Sequence, residues 1–210
     1  MEPVVAGAPS SVRSCTVLRR RHFATVLALS PLAISGPAEA VPSASPPGRD
    51  DLPKVVLVNQ DSQPVRFYDD LVRGDHVVAI NFMFAQCSDI CPSTTANLAR
   101  VQALLGERLG RDVRMASISI DPRRDTPPIL KAYARNFGAR PGWQFLTGRP
   151  KDIERLRRHL GVFERDPDLD RDISQHTGML VYGNEARGRW SRVSALADPL
   201  RIFESITRWT

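Results

Sequence analysis

The sequence predicts an α/β fold: a mixed central sheet covered by helices, with a hairpin added at the N-terminal end. Three observations predict it. From residue 52 onward, strand-like and helix-like segments alternate. Two of the strand segments are nearly continuous apolar runs, as strands covered on both faces should be. A late pair of strand segments flanks Gly183-Asn-Glu-Ala-Arg-Gly188, which reads as an antiparallel hairpin. At 210 residues, 42% hydrophobic and 25% charged, the chain is long enough to bury one sizeable core without covalent staples.

In order, Lys54–Asn59 and Pro64–Tyr68 flank Gln60-Asp61-Ser62-Gln63 and predict an opening hairpin. His76–Phe84 predicts a buried central strand. Pro92 opens a helix whose Leu98, Val101, Leu105 and Leu109 recur at three- and four-residue steps, ending near Gly110. Val113–Ile120 is the second buried strand. Asp121-Pro-Arg-Arg-Asp-Thr-Pro-Pro then leads into a helix capped by Thr126 that runs to about Phe137. Gln144–Thr147 is a short strand and Lys151–Leu160 a helix. Gly178–Tyr182 and Arg189–Val193 form the late hairpin, and Asp198-Pro199 caps a last helix with Leu200, Phe203 and Ile206 on one face. No internal repeat is visible. A thioredoxin-like domain is the simplest match to this order, because its reactive loop joins the first core strand to the following helix.

Composition narrows the function. The net charge of +6 is spread among acids, as in Glu164-Arg-Asp-Pro-Asp-Leu-Asp-Arg-Asp, which marks a solvated face rather than a nucleic-acid stripe. No apolar run approaches the length needed to cross a bilayer. Three cysteines are too few for a disulfide-built scaffold. Residues 1–40 read as an export signal: Arg19-Arg20-Arg21, a short apolar segment from Phe23 to Ile34, and Ala38-Glu39-Ala40 as a cleavage site. Arg20-Arg21-His22-Phe23 partly fits a twin-arginine motif. The competing reading is an uncleaved membrane tether. Residues 41–51, rich in Pro and Ser, read as a flexible tether, and residues 52–210 as the folded domain. Cleavage would remove Cys15 and leave Cys87 and Cys91 in a periplasmic compartment where disulfides persist.

Cys87-Ser-Asp-Ile-Cys91-Pro92 sets two thiols four residues apart where a buried strand turns into a helix. In a helical turn both sulfurs would face one way, about one 5.4 Å pitch apart. The helix start would lower their pKa and favour thiolates. Two such sulfurs suit a soft ion such as Cu(I), and to a lesser degree Zn(II). Of the four histidines, His22 lies in the signal segment, His76 starts the central strand as a surface residue, and His159 lies on a solvated helix face. His176, just before the late hairpin and after a long polar loop, is the candidate third ligand; a capping histidine is the alternative. Met179 reads as a core strand residue rather than a thioether ligand. Core thiols are disfavoured just before Pro92, where side chains are expected to be exposed. Dithiol redox chemistry stays open, although dedicated oxidoreductases of this fold mostly space their cysteines by two residues. They also place a proline before the strand facing the cysteines, and none occurs between Pro167 and Pro199.

Phe84-Ala-Gln-Cys87-Ser-Asp-Ile-Cys91-Pro92, Ser119-Ile-Asp121-Pro-Arg-Arg-Asp125-Thr-Pro127 and His176 before the terminal hairpin together resemble the SCO/SenC family over residues 52–210. The resemblance implies a thioredoxin-like fold and a copper site made of Cys87, Cys91 and His176. It also implies a role in delivering copper to the dinuclear copper centre of cytochrome c oxidase, or in reducing that centre's cysteines. Ser88 and Gln175 stand where members often have Pro and Asp, and neither change removes a ligand. Asp121 and Asp125 are candidates to support the site from behind or simply to form the Asp-Pro turn.

The expectation is therefore an exported copper metallochaperone, not a catalyst with turnover. Its partners would be the copper-bearing subunit of cytochrome c oxidase and a periplasmic copper donor. A thiol–disulfide reductase, with a redox-active Cys87–Cys91 disulfide, is the alternative. A peroxide-reducing enzyme is disfavoured, since the sequence lacks a Pro-x-x-x-Thr-x-x-Cys run.

Overall fold

Seven strands line up in the order β2-β1-β5-β4-β3-β6-β7 in this computed structural model, which describes residues 52–172 and 178–210. The proposed export signal and tether lie outside the described residues. The hairpin of β1 (Val56–Asn59) and β2 (Pro64–Arg66) is antiparallel, with Leu57 opposite Val65. Asn59 shapes its turn, the side-chain oxygen accepting the amides of Asp61 and Gln63 at 2.9 Å each. The second strand is shorter than the sequence suggests. At Phe67 the chain leaves the sheet for a π-helical turn, Phe67–Val72, that buries Phe67, Leu71 and Val72.

β3 (Val77–Met83), β4 (Val113–Ser119) and β5 (Trp143–Thr147) are parallel, as their helical crossovers require. β6 (Met179–Asn184) and β7 (Arg189–Ser194) extend the sheet antiparallel beyond β3. β3 is wholly buried, so its residues alternate between two cores. Val77, Ala79 and Met83 face α1 (Ile90–Leu105), α2 (Pro127–Asn136) and α5 (Pro199–Thr207). Val78, Ile80 and Phe82 face α3 (Pro150–His159) and the π-helical turn.

Several expectations are corrected. α1 begins at Ile90, two residues before Pro92, and stops at Leu105, where Gly106 takes φ +54°. Pro92 is tolerated at the third position because first-turn amides have no partner within the helix. Thr126 stands at the cap position of α2, but its side chain makes no capping hydrogen bond. α5 buries Ile202 and Ile206, while Leu200 is 52% exposed. The acidic–basic run after α3 is more than a solvated face: it holds a short helix, α4 (Pro167–Arg171). From it Asp170, its side chain 3% exposed, binds Arg157 at 2.5 and 2.7 Å and Arg158 at 2.9 Å.

Candidate metal centre

The carboxyl end of β3 delivers both cysteines. After Met83 the chain turns, the Cys87 amide donating to the Phe84 carbonyl at 3.2 Å. Cys87 precedes the helix, whereas Cys91 lies in its first turn. The two are not on one helical turn, yet they meet: the Cys91 amide donates to Cys87 Sγ at 3.5 Å. One sulfur thus caps the helix that carries the other. The two cysteines are not joined in a disulfide, and both are buried, Cys91 at 1% exposure and Cys87 at 8%. This corrects the expectation of exposed side chains. It also corrects the expected pKa of Cys91, since burial pushes that thiol up, with Cys87 and the charge of Asp125 adding to the rise. Desolvation outweighs the helix end here, so the resting group is a thiol that must lose its proton to bind a metal.

The next loop, from the end of β4, packs beneath. Asp125 is 1% exposed. Its Oδ2 accepts the Ala85 amide at 3.0 Å and the Ser119 hydroxyl at 2.6 Å. Ser119 Oγ accepts the Asp121 amide at 3.0 Å, so its own proton is directed to Asp125. Oδ1 of Asp125 is buried and has no hydrogen-bond partner among the described residues. Burial raises the pKa of this carboxyl, Ser119 and Ala85 oppose the rise, and the charge of Asp121 adds to it. Asp121 does turn-forming work: its carbonyl accepts the amides of Arg124 at 3.1 Å and Asp125 at 2.9 Å. Of the two candidate carboxylates, then, Asp125 lies behind the cysteine loop and Asp121 shapes the turn.

Sequence reasoning did not single out Ser119, Tyr133 or Thr95. Tyr133 and Thr95 join hydroxyls at 3.0 Å. Burial is the main cause that pushes the Tyr133 phenol up to about 12, with Cys91, Cys87 and Asp125 adding to it. A hydroxyl at the end of the buried β4 strand was the available signal for Ser119. Nothing local marks Tyr133, which enters the same core as the cysteines from α2.

His176 lies outside the described residues, and the chain resumes two residues later. Because β6 runs antiparallel to β3, with Leu180 opposite Asn81, its first residues arrive at the cysteine end of the sheet. There Gly178 packs against the first turn of α1: a Cβ built on it would lie 2.8 Å from Ile90 Cδ1 and 3.4 Å from Thr94 Cγ2. Its carbonyl accepts the Ala195 amide at 2.7 Å. Met179, the next residue, is half-buried at the start of β6 and paired with Ser194. Among the described residues, no group of three or more His, Cys, Asp or Glu side chains could hold a metal ion.

The other histidines are elsewhere. His76 is not a surface residue. It is buried just before β3, at the end away from the cysteines, with Nε2 2.9 Å from the Leu71 carbonyl. His159 is half-buried rather than solvated.

The model of the SCO1/SenC family matches residues 50–210. The chain belongs to the SCO1/SenC family. It is 34% identical over 128 residues to a SCO1 protein homolog of Bacillus subtilis, a match covering 59% of this chain and 64% of the relative. The matches to this homolog and to a SCO2-like protein of Rickettsia prowazekii span less than two thirds of those relatives' lengths. Among solved structures, ScoI of Bradyrhizobium japonicum with copper bound superposes with TM-score 0.60 at 25% identity, covering 74% of this chain and 96% of that one. BsSco, a member of the Sco family of cytochrome c oxidase assembly proteins studied for a disulfide switch, gives TM-score 0.61 at 25% identity over 75% and 91% of the two chains. The mixed seven-stranded sheet with its covering helices is thus the thioredoxin-like fold that the sequence predicts.

Proposed function

We propose that this chain binds copper through Cys87, Cys91 and His176 and hands it on, as an exported metallochaperone in cytochrome c oxidase assembly. The observation that carries the reading is the packing of Gly178, two residues along the chain from His176, on Ile90, which sets the start of β6 against the helix turn that bears Cys91. The donor chemistry agrees: two adjacent sulfurs suit a thiophilic ion, and one imidazole gives Cu(I) three-coordination. Each thiol gives up its proton as copper binds. Ligand-by-ligand replacement by an acceptor then passes the ion without releasing it. The copper-bound relative and the family's association with cytochrome c oxidase assembly support both cargo and pathway. The copper-bearing subunit of that oxidase is the proposed acceptor, and a copper protein of the same compartment the proposed donor. Arg19-Arg20-Arg21, the apolar segment and Ala38-Glu39-Ala40 support export to the periplasm, by cleavage or with a retained tether.

A second reading has its own observation. The Cys91 amide donates to Cys87 Sγ, so the two cysteines are neighbours, and as a dithiol they would form a disulfide by giving up two protons and two electrons to a disulfide substrate. Titration of the reduced chain with Cu(I) against a competing chelator separates the two. One tight site, weakened at least a hundredfold by His176→Ala, supports the metallochaperone. Copper affinity indifferent to His176→Ala, with rapid reduction of a disulfide substrate, overturns it in favour of the reductase.

A further inference from the structure

We propose that Asp125 sets the balance between the two oxidation states of copper at Cys87 and Cys91, its buried carboxylate favouring Cu(II) over Cu(I). The inference rests on the copper-site reading above and adds a residue that tunes the ion without binding it.

Position comes first. Asp125 Oδ2 is fixed from two sides, by the Ala85 amide two residues before Cys87 and by the Ser119 hydroxyl at the end of β4. The proton of Ser119 is committed to it, because Ser119 Oγ already accepts the Asp121 amide. Two converging donors suit an ionised carboxylate. At 1% exposure this charge is sealed from solvent, with no donor to Oδ1 among the described residues. Leaving a buried polar atom unpaired forfeits the hydrogen bonds it would make with water. A residue held at that cost beneath two thiols does more than close a turn, since Asp121 and the Thr126–Pro127 start of α2 already form it. The hydrogen bond to the Ala85 amide ties the carboxyl to the cysteine loop, and its charge adds to the rise in the Cys91 pKa.

The charge arithmetic gives the sign. Two thiolates and a neutral imidazole around Cu(I) carry a net charge of about −1, and around Cu(II) about zero. Reducing the bound ion adds one electron and no proton. A fixed anion nearby opposes that electron, and burial limits screening by salt and water. Asp121 has the same sign, but it is half-buried and beside Arg124. The dithiol–disulfide couple behaves differently. Two electrons and two protons convert the disulfide into two neutral thiols, so the charge at the site is unchanged and Asp125 has little to act on.

The test uses the full chain, with copper ions as the probe. Affinities for Cu(I) and Cu(II) are measured by chelator competition in the parent and in Asp125→Asn, which keeps the shape and an oxygen to accept the Ala85 amide. The ratio of Cu(I) to Cu(II) affinity should rise about tenfold or more in Asp125→Asn, each tenfold being 59 mV in the one-electron potential. Asp125→Glu should stay near the parent ratio. The disulfide reduction potential should move far less than the copper potential. If Asp125→Asn does not fold, Asp125→Ser, which keeps a hydroxyl near Ala85, is read in the same way. Equal loss of both affinities, or an unmoved ratio, overturns the proposal and leaves Asp125 a structural residue. Failure of the parent chain to bind copper overturns the site assignment, and this inference with it.

Discussion

Gly178 shows how little space separates the start of β6 from the first turn of α1. A methyl group there would meet Ile90 Cδ1 at 2.8 Å, closer than carbon atoms tolerate, and Thr94 Cγ2 at 3.4 Å. The clash is with the tip of a flexible side chain, so Gly178→Ala should fold at a cost of about 1 kcal/mol, at the low end for overpacking. Its larger effect should fall on copper, since the strand that follows His176 would lift from the helix that carries Cys91. Ile90→Val removes the clashing methyl and should restore most of what Gly178→Ala loses. A double-mutant cycle scored by Cu(I) affinity and by urea unfolding checks this. Additive losses would mean that the contact does not position the arm. The same crowding bears on Cys91. Packed against the sheet rather than displayed on a surface, its sulfur owes its proton affinity to burial first, despite lying in the first turn of a helix.

Two helices begin with the same sequence signature and use it differently. Thr126-Pro127 and Asp198-Pro199 both place a capping residue type before a first-turn proline. Only Asp198 caps with its side chain, accepting the amides of Leu200 at 2.9 Å and Arg201 at 3.3 Å. Thr126 stands in an extended conformation with no such bond, and its backbone carbonyl accepts the Leu130 amide instead. Asp198→Ala should therefore cost about 1 kcal/mol and lower the melting temperature by about 3 °C. Thr126→Ala should change it by less than about 1 °C, as exposed substitutions away from specific contacts do. Paired thermal unfolding of the two variants checks the contrast. α4 carries a related lesson. Its acidic and basic residues look solvated in one dimension, but the Asp170 side chain is folded under Arg157 and Arg158. Composition could not tell a surface charge run from one that fastens the chain before β6 to α3.

For the molecule as a whole, the alternation of elements was legible in order along the chain. Apolar β3 and β4, the Gly138 helix end and the late hairpin all leave local signatures, whereas α1 ends at Gly106, short of the Gly110 that the sequence suggests. Their spatial order was not, because β5 comes to lie between β1 and β4 through contacts more than eighty residues apart. The site divides in the same way: Cys87, Cys91 and Asp125 stand out as residue types at telling spacings, but the depth of the thiols and the open Oδ1 depend on how two loops stack. His76 is the clearest case of what sequence cannot carry. As a polar residue before an apolar strand it reads as surface, yet the π-helical turn folds over it and supplies the Leu71 carbonyl. Burial is the first cause that lowers its pKa, Arg114 lowers it further, and the Leu71 hydrogen bond and Asp75 oppose the change. The folded protein thus prefers neutral His76 more than the unfolded chain does, whose histidine titrates near 6.5. Above that pH neither state takes up the proton and stability is unaffected. As pH falls below about 6.5 the unfolded chain binds the proton first, and stability declines until the folded-state pKa is passed. Urea unfolding of the full chain between pH 7.5 and 5 should show this decline. His76→Gln, which keeps a donor for Leu71 but has no proton to gain, should be less stable at pH 7.5 and should lose less on acidification. Asp75, whose pKa is lowered by Asn184 first and by Arg187, titrates below this window and does not contribute to it. An identical decline in the variant would move the acid sensitivity away from His76.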